Sequence, residues 1–526
     1  MDQKSINSIL HRYGIFHIAA FAVAFWSIDR MICTAVLHDT PPQLSNVLST
    51  LLHIVFFIAW CFSCFLFFFS RYYAEKTGGR NCFKDNLKYE RSIFDLLHFF
   101  SDANPYYLDP STLPVEDWRT AEGIILGKIG NRLIKRPSNG VGNLMVFSLP
   151  GGGKTTSQII PSALRFSGSV LAIDIKGDIL HYTRNHRNIK IFAPDDPENS
   201  VHYNPLFGIE SLSEIERRNY IEQISYIVLP DSQDKDGKYF VEGGRDYFNG
   251  VAMYMLDQNI ETTFPEIAQA IVNDNAFDWA KRIASSSCEI AKSYVCSYIG
   301  SNEKNVAGAY STIVKAIRPF AFGSLATLLD GAADSITQET LEQGADIYIE
   351  IPQDKIKLYA PITTILVQQF LTMFMRRPDR STGQVTRPIL FLLDEFPQLQ
   401  FDYEILNAAL STLRSKGVSL FLAMQSISQL VQKYGESGFR SIVDNCSYIS
   451  VMSAQDPESR EYFSKLCGTR KILKVGTSSG VNSSSRNTQE ERTPIFQPAD
   501  FGNLGDDLII IANGKSIRAQ KTYCFK

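Results

Sequence analysis

Two kinds of apolar run alternate along this chain, and they predict different elements. The first kind is long. Residues 47–69 carry no acid, Lys or Arg, and they gather Phe56, Phe57, Phe65, Phe67, Phe68 and Phe69 into one stretch. A helix of that length crosses the ~30 Å hydrocarbon layer of a bilayer. An earlier run, 15–37, is interrupted by Asp29-Arg30. It reads as a second membrane helix with a charged pair near its far end, or as the core of a secretory leader behind Lys4 and Arg12. No small-x-small cleavage site precedes His38, which favours the helix. The connection 38–46 lacks Lys and Arg, whereas Arg71, Lys76, Arg80, Lys84, Lys88 and Arg91 follow the second run. Basic flanks stay on the cytoplasmic side. The expectation is a two-helix transmembrane anchor over residues 1–75, multi-pass in the lipid bilayer, with both termini cytoplasmic.

The second kind of run is short. Residues 144–147, 170–173, 346–351, 388–393 and 418–423 are apolar bursts with few polar positions. Such bursts suit parallel strands buried on both faces. Between them lie segments with helical spacing: 214–228, 247–257, 265–284, 305–322 and 361–375. Strands alternating with helices predict an α/β sheet. Residues 206–331 hold helical patterns and few strand patterns, so they predict a mostly helical insertion. Near the end, 508–512 and 516–523 flank Asn513-Gly514 and predict a hairpin. Residues 476–490 are rich in Ser, Asn and Thr and read as a mobile, solvated loop.

Composition narrows the class. The chain has 526 residues, 44% of them apolar and 20% charged, which excludes a disordered or collagen-like polymer. A net charge of -3 excludes a globally basic protein, so any contact with nucleic acid has to come from a local patch or channel. Of nine cysteines, only Cys61 and Cys64 have close metal-pair spacing, and they sit inside the second membrane run. They read as small apolar residues, and no disulfide framework is implied.

Candidate chemistry begins at the end of the 144–147 burst. Ser148-Leu149-Pro150-Gly151-Gly152-Gly153-Lys154-Thr155-Thr156 precedes a helical pattern. The phosphate-loop pattern is G-x-x-x-x-G-K-[ST]. Gly153, Lys154 and Thr155 match it, while Ser148 stands in place of the first glycine. Gly151, Gly152, Gly153 and Thr156 would bring backbone N–H groups to phosphate oxygens. Lys154 would reach the outer phosphates of ATP, and Thr155 would bind Mg2+. Asp394 and Glu395 end the 388–393 burst, at the strand end where open α/β sheets bind ligands. Asp394 is the candidate metal ligand, directly or through water, and Glu395 the candidate general base. Gln425, after the 418–423 burst, is a candidate for sensing the γ-phosphate or orienting water. Arg414 is a candidate arginine finger acting on a neighbouring subunit.

Gly151–Thr156, Asp174–Asp178, Asn204-Pro205-Leu206, Leu392-Leu393-Asp394-Glu395-Phe396 and Arg414-Ser415-Lys416-Gly417 come in this order. Gln425–Leu430, Tyr434-Gly435, Asp444-Asn445-Cys446 and Asp456-Pro457-Glu458 follow. This set resembles the type IV coupling proteins, the membrane ATPases of conjugation and type IV secretion, over essentially the whole chain. The resemblance implies a RecA-like nucleotide domain built from 76–205 and 336–526, with an all-α domain, 206–335, inserted. It also implies a homo-hexamer on the bacterial inner membrane, with single- or double-stranded DNA in a central channel. Expected partners are the type IV secretion channel and a relaxase–DNA complex or effector proteins. A motor, a nucleotide-ordered receptor platform and a DNA-packaging pump all fit that frame. A general base at Glu395 favours the motor, because a platform needs none.

Overall fold

The computed structural model describes residues 115–117 and 123–524, apart from 131, 137–141, 233, 380–385 and 481–482. The expected two-helix anchor and the Cys61/Cys64 pair lie outside the described residues. Among the described residues, one helix, Gln353–Met375, is long and apolar enough to cross a membrane, and 72% of its most apolar window is buried. It is a core helix. Phe374 near its end meets Phe391 of the central sheet edge-on, with ring centroids 6.0 Å apart.

Fourteen strands are present among the described residues. They are β1 (Val115–Asp117), β2 (Ile125–Ile129), β3 (Arg132–Lys135), β4 (Asn143–Phe147), β5 (Ser169–Asp174), β6 (Ile189–Phe192) and β7 (Asp346–Glu350). Then come β8 (Ile389–Leu393), β9 (Val418–Met424), β10 (Cys446–Val451), β11 (Thr469–Gly480), β12 (Ser483–Pro494), β13 (Asp507–Ala512) and β14 (Lys515–Gln520). Twelve of them form one mixed sheet in the order β1-β3-β2-β14-β13-β10-β4-β9-β8-β5-β7-β6. From β10 to β6 all neighbours are parallel. From β10 outward to β1 the pairs are antiparallel.

The apolar bursts become strands because both faces of the parallel half are covered. Every residue of β8 and β9 is buried. Alternation still sorts the side chains by face. Met145, Phe147, Leu171, Ile173, Phe391 and Leu393 point into one core, and Leu144, Val146, Val170, Ala172, Leu390 and Leu392 into the other.

Between β6 and β7 the chain is mostly helical, as the spacing predicts. Helices Glu214–Val228, Lys235–Gln258, Phe264–Asn273, Ala276–Ala284, Glu289–Val295 and Glu303–Ala321 occupy it. The single helix expected over 265–284 is two. Asn275 ends the first by capping the second, its side chain accepting from the backbone N–H groups of Phe277 and Asp278. Phe264 packs edge-on against Phe320, and Tyr247 against Tyr310, in a core continuous with that under the sheet.

The stretch read as a mobile loop is a correction. Residues 476–490 lie within an antiparallel ribbon in which β11 and β12 pair from Thr469↔Pro494 to Gly480↔Ser483. The ribbon forms a sheet of its own, so no face demands the apolar alternation by which strands are recognised. The backbone ladder holds the pairing, with Lys471 and Glu490 paired across it at 3.4 Å. The β13–β14 hairpin turns on Asn513 and Gly514 at φ 52° and 71°, as the Asn-Gly pair predicts.

Candidate functional site

The glycine-rich loop leaves the carboxyl end of β4 in the middle of the sheet. Its departure from the usual pattern has a local explanation. Ser148 does not take a positive φ, so no glycine is needed there, and its N–H donates to Met424 O at 3.0 Å. The unusual backbone lies later, at Gly151 (φ 73°) and Gly153 (φ 93°). Gly152 is demanded by crowding. A Cβ there would stand 2.3 Å from Ser148 Oγ and 3.0 Å from Leu149 O. Ser453, just past β10, holds the loop from the side by accepting from Leu149 N at 3.0 Å. The following helix opens with a π-type turn, Thr155–Ile159, and continues as Ile160–Arg165.

The two acids arrive from β8. Asp394 is buried and accepts a hydrogen bond from Thr155 Oγ1 at 3.0 Å. The Lys154 ammonium pairs with Glu395 Oε1 and lies 3.5 Å from Asp394 Oδ1. Burial pushes the Asp394 carboxyl up from its ordinary range; the Lys154 charge opposes this and the Glu395 charge adds to it. Glu395 sits in the left-handed region at φ 50°, ψ 41°. For a non-glycine residue that conformation costs about 1–2 kcal/mol. It turns the chain sharply out of β8 and leaves the carboxylate facing Lys154 and Gln425.

β9 is hydrogen-bonded between β4 and β8, with Phe147 opposite Met424 and Leu393 opposite Leu422. That order places Gln425 between the loop and the acids. Its Nε2 donates to Glu395 Oε2 at 3.1 Å and Oε1 at 3.3 Å. Gln429 fixes Gln425 in turn, its Oε1 accepting from Gln425 N at 3.1 Å. Gln429 also closes a capping box with Ser426 at the head of helix Ile427–Asp444. The spacing Ser426-x-x-Gln429 carried that feature in the sequence. Ser453 had no such local mark, because it reaches the loop only through the β4–β10 pairing.

Arg414 is not brought into this cluster. It is exposed, between helix Tyr403–Thr412 and the start of β9. In a parallel sheet that is the amino end, and the loop and the acids occupy the carboxyl end. Asp174, at the end of β5, is buried, and its Oδ2 accepts from Leu180 N at 2.7 Å. Burial, with the Glu350 and Asp178 charges adding, pushes its carboxyl up to about 6.

A glycine-rich loop, a lysine, two acids at a strand end and an interposed amide are the arrangement of a phosphate-loop α/β fold. The chain belongs to the type IV secretory system conjugative DNA transfer family, whose model matches residues 118–526. It is 25% identical over 468 residues to the probable conjugal transfer protein TraG of Sinorhizobium fredii (strain NBRC 101917 / NGR234), covering 82% of this chain and 71% of that protein. It is 23% identical to the type IV secretion system-coupling protein VirD4 of Bartonella quintana (strain Toulouse), covering 71% of this chain and 61% of that relative. Among solved structures, the plasmid coupling protein TrwB in complex with ADP and Mg2+ shares the fold. The TM-score is 0.61 at 17% identity, covering 80% of this chain and 93% of that one.

Proposed function

We propose that this chain is an ATP-hydrolysing coupling protein that delivers a relaxase–DNA complex or effector proteins to a type IV secretion channel. The observation that carries the reading is the convergence of Lys154, Thr155, Asp394, Glu395 and Gln425 from strands far apart in sequence. Structures of TrwB, the neighbour in fold, are described with ADP and Mg2+ and with ATP and GTP analogues.

The residues fit a triphosphate and its cation. Gly152 lets the loop turn tightly where a Cβ would meet Ser148 Oγ and Leu149 O, its N–H donating to Leu149 O at 2.9 Å in this structure, and the other loop N–H groups from Gly151 to Thr156 would bind phosphate oxygens. Lys154 neutralises the outer phosphates. Thr155 Oγ1 and Asp394 Oδ2, hard oxygens 3.0 Å apart, are the residues that would hold Mg2+. A cation held there would offset charge that builds on the phosphate oxygens. Glu395 takes a proton from the attacking water, and Gln425 holds the Glu395 carboxylate in the orientation that receives it. Lys154 is paired with Glu395 in this structure, so phosphate binding competes the ammonium away and frees the base.

Residues 76–205 and 336–526 make the nucleotide domain in this reading, and 206–335 the inserted helical domain. Arg414, remote from its own subunit's site, acts on the neighbour's phosphates in a homo-hexameric ring. Residues 1–75 anchor that ring in the inner membrane, and DNA passes through its centre. ATP turnover by the full chain tests this, measured alone, with single-stranded DNA and with duplex DNA, with Lys154→Ala as the blank. Turnover stimulated by DNA supports the motor. Turnover that survives Lys154→Ala overturns the site.

A further inference from the structure

Residues 521–524 return to the glycine-rich loop. β14 runs in the same direction as β10, because both are antiparallel to β13. It therefore ends at the same edge of the sheet as the loop. The tail that follows is tied down at four points. Lys521 N donates to Asp506 O at 2.8 Å, and Lys521 Nζ to Gly505 O at 2.7 Å. The Tyr523 hydroxyl donates to Asp506 Oδ1 at 2.9 Å. Cys524 N donates to Thr156 O at 3.0 Å, inside the first turn after the loop. The half-buried Tyr523 ring lies against the loop itself: a Cβ on Gly153 would meet its Cε1 at 3.3 Å.

Sheet order gives this contact a direction. Lys154 and Thr155 face the acids of β8, on one side of the loop. The last phosphate of a bound nucleotide therefore points toward β8, and its nucleoside leaves the cradle on the opposite side. On that side of β4 the sheet continues through β10, β13 and β14. The tail carries an aromatic ring there, held at its hydroxyl and by the backbone on either side.

We infer that Tyr523 stacks on the base of the bound nucleoside triphosphate, an inference that rests on the phosphate-site reading above. A ring held by its face contacts reads no base edge, so it favours purines for their larger stacking area without separating adenine from guanine. Asp506, by accepting from the hydroxyl, holds the far end of the ring in place.

The test uses the full-length chain with Mg2+ and two probes, ATP and inorganic tripolyphosphate, the second having phosphates but no base. Tyr523→Ala is expected to weaken ATP binding about tenfold, the scale of losing one aromatic–base stack, and to leave tripolyphosphate binding unchanged. Steady-state turnover should show the same loss in KM, with kcat kept. Tyr523→Trp should hold ATP as the wild type does. Equal weakening of both probes would mean that the tail only shapes the loop and would overturn the stack, as would no change in either. Failure of the underlying reading looks different. The wild-type chain would then bind neither probe, or Lys154→Ala would bind both undiminished, and the base contact would fall with it.

Discussion

Gln425 Nε2 donates to both carboxylate oxygens of Glu395, at 3.1 and 3.3 Å. These residues follow different strands, and in the proposed mechanism the amide sets the direction in which Glu395 accepts a proton. Glu395→Gln should lower kcat by roughly 10²–10⁴-fold, the usual contribution of a positioned proton acceptor. Gln425→Ala removes one charge-assisted contact and should cost roughly ten- to a hundredfold. The double variant should be little worse than Glu395→Gln alone, because the amide acts through the carboxylate. Single-turnover hydrolysis with ATP binding measured separately checks this; additive losses would give Gln425 an independent role.

Gly152 and Ser148 form a second coupled pair. Gly152→Ala places a methyl 2.3 Å from Ser148 Oγ and should abolish nucleotide binding or lower the melting temperature by several degrees, the cost of about 1–3 kcal/mol of overpacking. Ser148→Gly alone should bind nucleotide normally, since position 148 needs no positive φ. Combined with Gly152→Ala it should restore part of the loss. Thermal melts and ATP titrations of the three variants test the claim. No rescue would put the obstruction at Leu149 O instead.

Arg414 stands exposed at the amino end of β9, across the sheet from its own Lys154. Arg414→Ala should leave ATP affinity within about twofold, as surface changes do. It should lower turnover only where rings assemble. Mixed assemblies of Arg414→Ala and Lys154→Ala chains should regain part of the activity, at those interfaces where the arginine of a Lys154→Ala chain meets the loop of an Arg414→Ala chain. Turnover unchanged in assembled rings would return Arg414 to an ordinary surface residue.

Asp174 gives a pH dependence with a definite sign. Its carboxyl is raised from 3.8 to about 6, chiefly by burial, with Glu350 and Asp178 adding. The folded chain therefore holds a proton there that the unfolded chain releases. This contribution is present below about pH 4 and is lost as pH rises through about 6. Asp174→Asn keeps an acceptor for Leu180 N and removes the penalty. Its stability relative to wild type should grow between pH 4 and 6, by on the order of 1–3 kcal/mol, then level off. A difference that is flat over that window would contradict the assignment.

Much of this site was written in short segments. Ser148 to Thr156 are neighbours in the chain, so a glycine-rich turn between an apolar burst and a helix announces itself. Asp394 and Glu395 end a fully buried strand, and such a strand has to meet solvent or ligand where its apolar run stops. The Ser/Thr/Asn-rich ribbon is illegible in the sequence for the converse reason. With no core face to pattern β11 and β12, pairing between them left no apolar period to read.

The sequence by itself determined the apolar bursts that become β4, β5, β7, β8 and β9, the β13–β14 hairpin, and the helical character of the stretch between β6 and β7, and it marked the candidates for phosphate chemistry. These follow from side-chain periodicity and from contacts within a few residues. Tertiary structure alone decided that β9 lies between β4 and β8 and so brings Gln425 to Glu395. It also decided that Arg414 faces away from its own site, and that Tyr523 returns across hundreds of residues to rest on Gly153. Strand order is a choice among packings whose local patterns are equally satisfied. It is made by the summed burial of both faces of the sheet, which no short stretch of sequence contains.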